Sequence, residues 1–174
     1  MEQDKEYLEK FYDQDDPWNY HSTPDDQTRR ERIIAALPQL AYQNTLDIGC
    51  GNGFITEKLP GKKVWGIDIS ENAIAAAKNA VKDERFEFLA GSIFELPEVG
   101  LPQMDLIVVT GVLYPQYIGK SLQLVNVILD SLLKSGGILL SSHVHEWYQS
   151  RFPYMTVSRE WYQYRKFFQI MEVY

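Results

Sequence analysis

The sequence predicts an α/β fold: a Rossmann-like, open, mostly parallel sheet of seven strands with helices on both faces. Three observations carry this expectation. Apolar runs alternate with helical patterns from residue 44 to residue 144, the alternation of βαβ units. The first run, TLDIGCGNG (45–53), passes into three glycines, each separated by one residue. The second run ends on Asp68, 21 residues after Asp47, where an acid beside a glycine loop can accept two hydroxyl hydrogen bonds.

The elements follow in order. Residues 2–12 set Tyr7, Leu8, Phe11 and Tyr12 toward one side, which predicts a helix. DQDDPWNYHS (13–22) has the composition of a loop. TPDD (23–26) opens a second helix. Thr23 suits its N-cap, Pro24 its first turn, and Asp25 and Asp26 its positive end. That helix turns Ile33, Ile34 and Leu37 inward and stops at Pro38. NTLDIG (44–49) is a buried strand, FITEKL (54–59) a short helix, and KVWGIDIS (63–70) a second strand. Ser70 can cap the helix ENAIAAAKNAV, and RFEFLAG (85–91) is a third strand. MDLIVVTG (104–111) is apolar throughout, as a central parallel strand should be. A helix is expected from Ile118 to Lys134, with Leu122, Val125, Leu129 and Leu132 on one stripe and SGG (135–137) ending it. GILLSSHV (137–144) is the fifth strand, and the β-branched and aromatic tail from Tyr154 supplies the last two.

Composition narrows the function. A net charge of −7 and a pI near 5.0 disfavour nucleic acid, whose phosphates need a basic surface. Cys50 is the lone cysteine, so no internal disulfide is possible and a reducing compartment suits the chain. The acidic, amphipathic start MEQDKEYLEKFYDQDD is unlike a secretory signal. No apolar run approaches about 18 residues. A cytoplasmic protein that does not enter the membrane is expected.

The glycine loop separates two ligand classes. Dinucleotide sites favour G-x-G-x-x-G. Here Gly49-Cys50-Gly51-Asn52-Gly53-Phe54 brings the third glycine one residue early and puts Phe54 in its place. A pyrophosphate is therefore disfavoured. Cys50 has no neighbour in sequence that would activate it, so it reads as a small filler beside the ligand.

LDIGCGNG, VWGIDIS, LAGSIFELP, MDLIVVTGVLY and LLKSGGILL, taken in order over residues 44–142, resemble the class I S-adenosylmethionine-dependent methyltransferases. The resemblance implies S-adenosyl-L-methionine as cofactor and assigns roles by position. Asp47, Gly49 and Gly51 would approach the methionine part, with Cys50 inside that loop. Asp68 would hold the ribose hydroxyls and Ile69 would lie against the adenine. Ser92 and Ile93 would meet the adenine edge, Ser92 standing where the family often has an aspartate. Thr110 and Gly111 would line the methionine end.

The acceptor is narrowed by what is missing. Nucleic-acid amino-methylating relatives carry an Asn or Asp-Pro-Pro-aromatic motif after the fourth strand, where this chain reads TGVLYP. Catechol-type relatives place metal-binding acids where this chain has Thr110, Ser141 and Ser142. His143-x-His145 lacks a third ligand in sequence, so no metal is expected. DPWNY (16–20), followed by Arg29, Arg30 and Arg32, resembles the DPW-aromatic entry of the nodulation N-methyltransferases. That resemblance implies an amine acceptor and an amino-terminal lid, with Trp18 and Tyr20 as lid candidates. One of the three arginines is a candidate for the cofactor carboxylate, and an exposed helix face explains the others. Tyr114, after the fourth strand, is the candidate facing the acceptor. His143, at the end of the fifth, is the candidate proton acceptor, with His145 and Glu146 on the same rim.

The expectation is one methyltransferase domain over 1–174. It comprises an amino-terminal lid and helices (1–43), a cofactor core (44–144) and carboxyl-terminal strands (145–174). Its expected activity is methyl transfer to a small molecule, first of all an amine nitrogen. A non-catalytic cofactor-binding subunit and a protein side-chain methyltransferase are the alternatives. The sequence gives no oligomeric state.

Overall fold

The computed structural model describes residues 5–13, 16–20, 22–148 and 152–174. Residues 2–4 of the expected first helix and residues 14, 15 and 21 of the expected loop lie outside the described residues. Helices α1 (Lys5–Phe11) and α2 (Pro24–Ala36) precede strand β1 (Asn44–Ile48). Then come β2 (Lys63–Asp68), α3 (Glu71–Ala80), β3 (Phe86–Ala90), α4 (Leu96–Val99) and β4 (Met104–Thr110). The chain continues through α5 (Pro115–Ile118), α6 (Leu122–Leu132), β5 (Leu133–Val144), β6 (Ser158–Tyr164) and β7 (Phe167–Val173). The seven strands form one sheet in the order β3-β2-β1-β4-β5-β7-β6. β1 to β5 run parallel, and β7 is antiparallel to both β5 and β6. The expected fold class is the observed one.

Strand alternation builds both layers. In β4, Ile107 and Val109 face the cluster that holds Val125, Ile128, Leu129 and Leu132 of α6. Leu106 and Val108 face the opposite cluster, with Ile33 and Leu37 at the end of α2. Period 2 in the strand thus meets period 3.6 in two helices. Each such aliphatic side chain contributes about 1.5–3 kcal/mol on full burial. Ser70 caps α3 as expected, its Oγ accepting from the Ala73 amide at 3.1 Å. Thr23 stands at the N-cap of α2 without a side-chain cap bond.

Three elements differ from expectation. FITEKL makes only a short 3-10 turn at Thr56–Lys58, because the Thr56 hydroxyl is drawn to Asp47 Oδ2 at 2.6 Å. The helix expected over Ile118–Lys134 is α6 alone and begins only at Leu122, because Gly119, with φ 58, ends the short α5 at Ile118. SGG does not end a helix but lies inside β5. Gly136 has φ 75, and the β4–β5 register shifts between Met104 and Leu106, so the glycines absorb an irregularity in the ladder.

Candidate active site

The carboxyl ends of β1, β2 and β4 converge on one cleft, where open α/β sheets bind ligands. It has two adjoining parts of about 360 Å³ and 220 Å³, joined at Gly49, Asp68, Val112 and Tyr117. Ile69, Ser92 and Ile93 line the larger part. Trp18, Asp47, Cys50, Gly51, Thr110, Gly111 and Tyr114 line the smaller. His143 lines neither part, nor do the rim candidates His145 and Glu146.

The glycine turn is forced by its conformation. Gly49, Gly51 and Gly53 all have positive φ, and a Cβ on Gly49 would stand 2.7 Å from Val112 Cγ1. The Gly49 and Cys50 amides both donate to the Ile67 carbonyl, at 2.8 and 3.0 Å, which ties the turn to β2. Asp68 accepts from the Gly51 amide through Oδ2 and from the Ser70 amide through Oδ1, each at 3.0 Å. Each carboxylate oxygen keeps a lone pair for a further donor. Burial raises Asp68 above its ordinary range. The thiol of Cys50 packs with Ile74, Ala77 and Phe88. Burial pushes it well up, so it is an inert filler beside the cleft.

Two orphaned atoms of opposite charge face each other's domain of influence here. Asp47 is 1% exposed, and its Oδ1 has no partner. Burial raises it to about 7, against the lowering hydrogen bond from Thr56. Arg29 is 7% exposed, and its Nε has no partner. Its guanidinium lies 5.6 Å from the Tyr20 ring centroid and 5.3 Å from that of Tyr164, and its Nε is 3.8 Å from Asp26 Oδ1. Asp26 is itself satisfied by the Tyr164 hydroxyl and by Arg165 Nη2, both at 2.6 Å. Both orphans line the smaller part of the cleft. Of the three candidate arginines, Arg30 pairs with Glu57 at 2.6 Å and Arg32 with Glu160, so Arg29 is the one turned to the cleft.

The amino-terminal segment forms the roof. Trp18 donates from Nε1 to the Tyr12 hydroxyl at 3.0 Å and stacks near Tyr20, which stacks on Phe54. Arg165, in the β6–β7 turn, donates to the Trp18 carbonyl at 2.8 Å.

The acceptor end keeps Tyr114 on the cleft and corrects the expectation for His143. Tyr114 lines the cleft, but its hydroxyl accepts from the Val144 amide at 2.8 Å and burial pushes it up to about 12. It is a wall there, not a base. His143 is fully buried. Its Nε2 accepts from the Leu113 amide at 3.2 Å and its Nδ1 meets Ser141 Oγ at 3.0 Å. Burial first, then the charge of Arg29, lowers it to about 3. With both nitrogens engaged under the cleft floor, it holds the 111–114 loop and cannot take a proton from an acceptor. His145 and Glu146 also lie off the cleft lining, Glu146 accepting from the Phe168 amide at 3.1 Å.

Trp147, Phe167 and Gln169 complete that end, and sequence reasoning singled out none of them. No local spacing marks them, since β5 and β7 bring them together only in the folded sheet. Among the described residues, no group of three or more His, Cys, Asp or Glu is placed to hold a metal. No described helix is long and apolar enough to cross a membrane.

Asp68 at the end of β2, the glycine turn, and Asp47 and Arg29, each with a buried atom lacking a hydrogen-bond partner, share one cleft of a Rossmann-like fold. Residues 41–171 match the family described as Methyltransferase domain. The chain belongs to that family. It is similar to nodulation protein S of Sinorhizobium fredii, with 31% identity over 104 residues, covering 58% of this chain and 47% of that protein. It is also similar to trans-aconitate 2-methyltransferase of the same species, with 30% identity over 122 residues, covering 67% of this chain and 45% of that one. The chain thus spans less than half the length of either relative. In fold it matches the N-methyltransferase NodS of Bradyrhizobium japonicum, crystallised with S-adenosyl-L-homocysteine. The TM-score is 0.82 at 23% identity, covering 97% of this chain and 96% of that one.

Proposed function

We propose that this domain binds S-adenosyl-L-methionine and transfers its methyl group to a small-molecule nucleophile, first of all an amine nitrogen. One observation carries the reading. The cleft holds two buried orphans of opposite sign, Arg29 Nε and Asp47 Oδ1, suited to the carboxylate and ammonium of an amino acid. Arg29 is ion-paired with Asp26, and Asp47 is bonded by Thr56, but a buried polar atom without a hydrogen bond is costly, so a ligand that supplies a partner to each orphan gains affinity. Gly49 and Gly51 let backbone approach that amino acid, and Asp68 keeps free lone pairs for the ribose hydroxyls. Ile69, Ser92 and Ile93 bound the larger part, where the adenine fits. Cofactor-site roles for Trp18, Cys50, Thr110 and Gly111 belong to the same proposal.

The cofactor, when bound, supplies an electrophilic methyl group on a sulfonium. The residues of this chain align the acceptor and exclude water. Thr110, Gly111 and Tyr114 bound the approach, and the aromatic faces of Trp18 and Tyr114 suit a cationic centre. The described residues of the smaller part include no His, Lys or Glu, and its carboxylates are Asp47 and Asp68. An acceptor that requires a protein base, such as a hydroxyl, is therefore disfavoured. A neutral amine needs none, and the positive charge of Arg29 and Arg165 beside the cleft favours the neutral form. A carboxylate acceptor needs no base either, and the two arginines suit it. It is the second reading, in line with the similarity to trans-aconitate 2-methyltransferase. The net charge of −7 supports an acceptor other than nucleic acid.

The test is label transfer from methyl-tritiated cofactor to separate pools of amines, carboxylic acids, peptides and RNA. Label in the amine pool supports the proposal, and label in the acid pool supports the second reading. Label in peptide or RNA would overturn the small-molecule assignment. Binding without transfer to any pool would leave a cofactor-binding subunit.

A further inference from the structure

We infer that Glu9 is a positioning residue for the cofactor: its carboxylate latches helix α1 over the cleft and, through Ser70, fixes the acid that grips the ribose. This rests on the methyl-donor reading above. Helix α1 is the roof of the cleft. Lys5 lines the larger part, Leu8 the smaller, and Tyr12, just past the helix end, stands with its hydroxyl over Gly51. Little apolar surface holds that roof down, since Leu8 is the buried residue of α1.

Polar contacts hold it instead: Lys5 pairs with Glu71 at 3.0 Å at the exposed edge, and most of the others converge on Glu9. Its Oε2 accepts from the Ser70 hydroxyl at 2.9 Å and the Asn72 amide at 3.1 Å, and its Oε1 accepts from the Glu71 amide at 2.8 Å. Asn72 returns two bonds from Nδ2, to the Glu9 carbonyl and to Asp13 Oδ1, both at 3.1 Å. Burial works to raise the Glu9 carboxyl, but these amide and hydroxyl donors hold it below the usual range.

The first turn of α3 explains the choice of residue. Its opening amides have no partner inside the helix. Ser70 Oγ takes the Ala73 amide, and Glu9 takes those of Glu71 and Asn72, reaching across from another helix. When α1 lifts, those two amides return to water, so opening is inexpensive and reversible. The Ser70 amide meanwhile donates to Asp68 Oδ1 at 3.0 Å. A single turn, 68–72, therefore carries both the ribose acid and the latch. Closing the roof and setting Asp68 are one event.

The test measures the release of bound S-adenosyl-L-homocysteine by stopped-flow chase from the full chain, alongside the melting temperature of the unliganded protein. Glu9→Ala should release it about tenfold or more faster, with an unliganded melting temperature close to that of the unsubstituted protein. Glu9→Gln, which keeps one acceptor oxygen, should fall between. Asn72→Ala removes only the return bonds and should move release in the same direction; it decides the matter if Glu9→Ala fails to fold. Unaltered release in both alanine variants would overturn the inference, as would a lowered melting temperature with unaltered release. Failure of the unsubstituted chain to bind the homocysteine product would instead overturn the methyl-donor reading itself.

Discussion

On the proposed reading, burial makes Asp47 and Arg29 the cradle for the amino-acid part of the cofactor. Asp47, raised to about 7 by burial, is largely protonated in the free protein below that pH. A bound ammonium favours the carboxylate, so binding expels the proton. Affinity for S-adenosyl-L-methionine should therefore fall by up to tenfold per pH unit below about 7 and level off above it. Titration between pH 5.5 and 7 checks this, in a range below the α-amino pKa of about 7.7–8.0. Asp47→Asn should flatten the slope. Arg29→Met should weaken binding by on the order of 2–5 kcal/mol, whereas Arg32→Met, at a half-exposed pair, should leave it unaltered. His143 shifts in the opposite direction, yet it too loses its contribution in acid. Its pKa is depressed from 6.5 to about 3, so the unfolded chain binds the extra proton and acid destabilises the fold. Its share of stability is complete above about 6.5 and is lost as pH falls toward 3. Melting curves of His143→Gln against the unsubstituted chain should show a shallower acid loss. The place of Asp68 and the glycines on the cleft was legible because it follows from local spacing along one strand and turn. His143 was misread because polarity at a strand end shows a titratable ring but not the Leu113 amide that occupies it. Arg29 could not be separated from Arg30 and Arg32 in sequence, since their partners Glu57 and Glu160 come from distant elements.

Elements with strong periodicity were the most legible. β4 is apolar on both faces because helices cover both, and the stripe of α6 matches its buried side. Leu129→Ala in that stripe should cost about 2–5 kcal/mol, read from denaturant midpoints. The β1 turn was legible for a different reason: positive φ at alternate positions admits little but glycine. Gly49→Ala meets both a φ of 80 and Val112 at 2.7 Å. It should abolish cofactor binding and lower stability by about 1–3 kcal/mol, measurable by titration and thermal melting. The missed breaks have a shared cause. The split between α5 and α6, and the glycines taken into β5, depend on how strands register in the sheet. The helical pattern of 118–134 reads through Gly119 because sequence spacing does not show its φ.

At the scale of the molecule, the sheet order carries the account. β1 lies between β2 and β4, so the glycine turn, Asp68 and the Thr110–Tyr114 segment open onto one cleft. The alternation of strands and helices made the open parallel sheet legible, but not the strand order. The amino-terminal cover was expected only from a resemblance, because α1 and DPWNY fasten to Ser70, Asn72 and Arg165, which are remote in sequence. Acidity argues against nucleic acid, yet Val144, Trp147, Phe167 and Gln169, which bound the smaller part of the cleft, come from β5, β7 and the turn after β5. Local sequence cannot encode that junction. The most direct measurement is isothermal titration of the full chain with S-adenosyl-L-methionine and S-adenosyl-L-homocysteine, beside NAD. Micromolar binding of the first two, lost in Asp68→Ala with the fold intact and absent for NAD, is the expected result. No binding of either, or a preference for NAD, would contradict the assignment of the cleft.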